Sequence, residues 1–112
     1  MRKCLLAWVG LLLAGCASTG GLEQSKPTFK ASTSKLDSHY VACVVTQWSK
    51  ISPTTHAEET PGGFRVTVSN GSMQAEELLI VVSRVNGADV ILHERVELLA
   101  LRAYRETAKG CL

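Results

Sequence analysis

The run Leu78-Leu79-Ile80-Val81-Val82 is apolar at every position, and so on both faces of a strand, which marks the central strand of a sheet. A central antiparallel strand over Ala75 to Val85 is therefore the element around which this chain is expected to fold. Asn86-Gly87 follows it. Both residue types tolerate the positive φ that a type I′ turn requires, so a tight hairpin is expected there. The return strand covers Ala88 to Val96, with Val90, Leu92 and Glu94 on one face and Ile91, His93 and Arg95 on the other.

The segments on either side complete an order of helix, strands, helix. Thr55 to Glu59 is a weak strand, Pro61-Gly62-Gly63 a turn, and Phe64 to Ser69 alternates with Phe64, Val66 and Val68 on one face, before a break at Asn70-Gly71. Upstream, Leu36, Tyr40, Cys43, Val44 and Trp48 form a helical stripe over Lys35 to Lys50. Ser34 stands as its N-cap, Asp37 in its first turn and Pro53 beyond its end. The β-branched Val41, Val44, Val45 and Thr46 pull toward strand, but the stripe runs over more than three turns. Trp48 reads as a core side chain at the helix end rather than a ligand platform. Downstream, Leu98 to Lys109 has helical spacing at Leu98, Leu101, Tyr104 or Arg105, and Ala108, with Gly110 as a stop. The fold class expected is α+β: a two-layer sandwich of an N-terminal helix, a three- or four-stranded antiparallel meander and a C-terminal helix.

The first residues have a different character. Arg2 and Lys3 precede the apolar run Leu5 to Leu13, which is of signal-peptide length and too short for a spanning helix before Ser18-Thr19-Gly20-Gly21. The run ends in Leu13-Ala14-Gly15-Cys16. This stretch resembles the lipobox of bacterial lipoproteins, and the layout of the whole chain resembles small Gram-negative lipoproteins without an assigned activity. The resemblance implies removal of residues 1 to 15, a diacylglyceryl thioether on Cys16, and a new N-terminus at that cysteine. An ordinary cleaved signal near Ala17 or Ser18 is the alternative. Ala17 stands where an aspartate would mark inner-membrane retention in that family, which favours the inner leaflet of the outer membrane, facing the periplasm. Two or more acyl chains hold a protein on its membrane, since each buried methylene is worth about 0.8 kcal/mol.

With Cys4 removed and Cys16 lipidated, Cys43 and Cys111 remain as one pair, which an oxidising compartment would join as a disulfide. Ala17 to Thr33 is rich in Ser, Thr, Gly and Lys and reads as a flexible tether reaching roughly 20 to 25 Å, with Phe29 as a solvated linker aromatic. The organisation expected is thus a signal over 1–15, an anchor and tether over 16–33, and a small domain over 34–112.

Charge excludes more than it suggests. Twelve Lys and Arg stand against ten Asp and Glu, and loss of Arg2 and Lys3 balances them, so no basic stripe for nucleic acid exists. His39, His56 and His93 have no metal-ligand spacing, and no C-x-x-C or G-x-S-x-G occurs. No cofactor, metal, small-molecule substrate or catalytic residue is therefore assigned. Glu76-Glu77 and Glu58-Glu59 are sequence neighbours, and neighbours on a strand face opposite ways, so neither is an acid/base couple by itself. These features point to a non-enzymatic, lipid-anchored interaction module. Its sheet face away from the helices, carrying Arg65, Thr67, Glu76, Arg84, His93 and Arg95, would meet an envelope protein partner. The alternative is a small cell-wall enzyme or inhibitor using the same face.

Overall fold

The computed structural model describes residues 21–69, 75–95 and 102–112. The signal and lipobox, the break at Asn70-Gly71 and the stretch with Leu98 and Leu101 lie outside these residues. The order is β1 (Phe29–Thr33), α1 (Asp37–Ile51), β2 (Thr55–Thr60), β3 (Gly63–Ser69), β4 (Ala75–Arg84), β5 (Gly87–Glu94) and α2 (Arg102–Gly110). The strands form one antiparallel sheet in the order β1-β5-β4-β3-β2. Strands β2 to β5 are the expected meander, and β4 is the middle strand of the sheet. The strand count is five rather than three or four, because Phe29 to Thr33 adds an edge strand.

That edge strand corrects the reading of residues 29 to 33 as tether. Phe29, Ala31 and Thr33 pair with Leu92, Val90 and Ala88 of β5. Their inward side chains alternate with the exposed Lys30 and Ser32. Phe29 is not a solvated aromatic: it packs on the core, with the Lys109 ammonium 5.7 Å from its ring centre.

Two glycines sit where backbones approach closely. A Cβ on Gly87 would collide with the Thr33 carbonyl oxygen, and one on Gly63 with that of Val81. Gly87 therefore serves the β1–β5 contact and not the turn. Arg84 pairs with Gly87, so the two-residue loop is Val85-Asn86, one residue earlier than expected. Gly63→Ala is expected to destabilise the protein by about 2 kcal/mol or more, because backbone rather than a flexible side chain has to move. Urea unfolding checks this, and an unchanged midpoint would contradict the contact.

Helices α1 and α2 share one face of the sheet. Tyr40, Val41, Val44 and Trp48 of α1 and Tyr104 and Ala108 of α2 close over Val66, Val68, Leu79, Val81, Val90 and Leu92. Trp48 is fully buried, its indole N–H donating to the Tyr104 carbonyl at 3.0 Å and the Thr107 hydroxyl at 2.9 Å. It is a core residue, as its place on the stripe predicts. The Tyr40 hydroxyl donates to the Ala108 carbonyl at 2.8 Å. The Cys43–Cys111 disulfide joins the helix α1 to the tail beyond α2, with Cα atoms 5.8 Å apart.

The start of α1 differs from expectation. Leu36, not Ser34, holds the N-cap position, without a side-chain cap, and it is 59% exposed rather than part of the buried stripe. The Ser34-Lys35 pair belongs to the turn out of β1, where the Lys35 amide donates to the Thr33 hydroxyl and its ammonium to the Cys111 carbonyl. Asp37 accepts from the Ser38 amide and the Ser83 hydroxyl, both at 2.7 Å, which places an acid where the helix dipole favours one.

The other face of the sheet is covered at one end. Residues 21–23 are helical, and Leu22, 2% exposed, packs with Ala75 and Leu78. This accounts for the doubly apolar run: Leu79 and Val81 meet the helices, while Leu78 meets Leu22. A register shift between Val68 and Ser69 accompanies the pairing of Ser69 with Ala75.

Candidate functional site

The residues expected on the open face do not converge. Arg65 pairs with Glu23 at 2.9 Å, tying the N-terminal segment to β3. His93 is 4% exposed, with Ser25 Oγ 3.4 Å from its Nδ1, so it lies beneath the segment and away from solvent. Arg95 donates from Nε to the Ala75 carbonyl at 2.7 Å. Thr67 reaches the His56 carbonyl only at 3.5 Å. Glu76 is half-buried on β4. Arg84 stands at the opposite end, six residues along β4 from the partner of His93, which is about 20 Å of strand.

Around Arg84 the surface forms an open depression of about 470 Å³, bordered by Lys30, Ser32, Asp89 and Ile91. Asp89 accepts from Arg84 Nε at 2.7 Å and from the Ser32 hydroxyl at 2.8 Å. The Arg84 hydrogen bond, then that of Ser32, holds the Asp89 carboxyl below its ordinary range. This is a shallow, charge-paired surface.

A second arrangement is not visible in the sequence. Glu77 and Glu94 face one another across β4 and β5 on the helix side, 0% and 5% exposed. Glu94 Oε1 accepts from the Thr28 hydroxyl at 2.6 Å and from Arg105 Nε at 2.9 Å. Among the described residues, no other donor reaches Glu94 Oε2 or either Glu77 oxygen. Burial, then a hydrogen bond with Glu94, then the charges of Glu94 and Glu76 push the Glu77 pKa up to about 10, against a smaller opposing effect of Arg105. Glu77 is thus the protonated member, able to donate to Glu94. If both were ionised, neither could donate, and two like charges would be buried together. The pair joins the end of the sheet to the residue preceding β1 and to α2.

The signal for this couple was the hairpin register. A turn centred on Asn86-Gly87 aligns Glu77 with Val96, whereas the observed loop aligns it with Glu94.

Among the described residues, no group of three or more His, Cys, Asp or Glu is arranged to hold a metal ion. Fold and site together define a small, disulfide-linked α+β domain with a buried carboxyl pair. No protein-family model, curated protein or solved structure matches the chain.

Proposed function

We propose that this protein is a lipid-anchored, periplasm-facing module of the cell envelope that binds an envelope protein through its surface. The observation that carries this reading is the contrast between its two charged arrangements. The Glu77–Glu94 pair is buried, while the accessible charges around Arg84 and Asp89 line a shallow, open surface, a shape suited to a protein contact rather than to enclosing a small substrate. The Leu13-Ala14-Gly15-Cys16 stretch supports the anchor, and the Cys43–Cys111 bridge agrees with an oxidising compartment.

Cys16→Ser is expected to move the protein from the membrane to the soluble fraction, read by fractionation and immunoblotting. Retention on the membrane would remove the anchor. Crosslinking from the depression, with Ser32 or Arg84 replaced by a photoreactive residue, is expected to capture a protein partner that a label on the opposite, helix-covered side does not. Equal capture from both sides would count against the depression as the contact surface.

A further inference from the structure

We propose that the Cys43–Cys111 disulfide is a site of thiol–disulfide exchange, at which the thiolate of a dithiol partner enters a groove between α1 and α2, attacks the Cys43 sulfur and displaces Cys111. This goes beyond the envelope-binding role and does not depend on it.

The groove has a volume of about 340 Å³ and is bordered by Gln47 of α1, by Glu106, Thr107 and Gly110 of α2, and by both cysteines. Open space adjoins it, since a Cβ added at Gly110 would meet no atom within 4 Å. The two cysteines are not equally placed. Cys111 is 2% exposed, whereas Cys43 is only partly buried at the edge of the core. A nucleophile arriving from solvent therefore meets Cys43 first.

Charge favours the same direction of attack. The Lys35 ammonium donates to the Cys111 carbonyl at 2.7 Å, which puts a cation at the residue that becomes the leaving thiolate, and a stabilised thiolate leaves faster. Among the described residues that border the groove, Glu106 alone carries a charge, so it opposes an entering anion and favours a cation.

The exchange balances with the dithiol as its sole reductant. Attack forms a sulfur–sulfur bond to Cys43 and breaks the one to Cys111, which takes up a proton. The partner's second thiol then closes the partner's own disulfide and releases Cys43 as a thiol, so two electrons and two protons pass to the domain. The tail stays tied by the hydrogen bonds of Thr33 to Leu112 and Lys35 to Cys111, so the bridge opens and recloses on a folded domain.

The full-length protein, extracted in detergent and kept in native buffer, tests this with mercaptoethanol as the thiol and rapid alkylation as the quench. Peptide mapping is expected to find the mixed disulfide on Cys43 in severalfold excess over Cys111, with an opening rate proportional to thiol concentration. A predominant Cys111 adduct would overturn the direction of attack. A rate that levels off at that of global unfolding would overturn exchange in the folded state. Lys35→Gln is expected to slow opening severalfold; a purely structural loss would loosen the tail and speed it, so an unchanged or faster rate overturns the part assigned to the ammonium. Glu106→Gln is expected to accelerate mercaptoethanesulfonate more than cysteamine, and an equal effect on both would overturn entry past Glu106.

Discussion

Removing the Cys43–Cys111 bridge, by reduction or by Cys43→Ser with Cys111→Ser, is expected to lower stability by about 4 kcal/mol. The bond spans 68 residues, and the chain-entropy relation for a loop of that length gives about 4 kcal/mol of restriction on the unfolded chain. A domain of this size has only about 5 to 10 kcal/mol in total, so the loss is a large share of it. The C-terminal tail keeps other ties: the Thr33 hydroxyl donates to the Leu112 carbonyl at 2.9 Å, and the Lys35 ammonium donates to that of Cys111 at 2.7 Å. The reduced protein is therefore expected to fold, with a melting temperature lower by about 15 to 30 °C on the usual scaling. Fluorescence of the fully buried Trp48 reports the transition. An unchanged melt on reduction would show that the bridge contributes nothing.

The second large effect is on pH dependence. Glu77 has a folded-state pKa raised from its ordinary 4.5 to about 10, so between those values the folded chain binds a proton that the unfolded chain has lost. Stability from this group is fully present below about pH 4.5 and declines as pH rises, by at most about 1.4 kcal/mol per unit. From pH 5 to 8 the loss is at most about 4 kcal/mol. Glu77→Gln keeps the shape and a donor toward Glu94 but does not titrate. It is expected to flatten the profile, leaving stability near pH 4 little changed and raising it at pH 8. Urea titrations at several pH values measure this. A variant with the same slope as the parent would show that Glu77 is not the group responsible.

Periodicity made the faces legible. Val66 and Val68 were readable as one side of a strand, as were Val90 and Leu92, and Tyr40, Val44 and Trp48 as one side of a helix, because burial on one face selects side chains at that element's own repeat. Pairing was not legible to the same degree. Moving the turn from Asn86-Gly87 to Val85-Asn86 changes every partner across β4 and β5 by two residues while leaving each side chain on its face, so Glu94 could be placed on the buried side but not opposite Glu77.

Local repeat and residue type were enough to establish the α+β class, the faces of the principal elements and the two cysteines available for a bridge, since each of these can be read within one short stretch of chain. Three outcomes came from the folded molecule alone: Phe29 to Thr33 is a strand, Leu22 covers Leu78, and two glutamates share one buried site. They depend on contacts between residues far apart in the chain, where turn geometry and close backbone approach choose the partner.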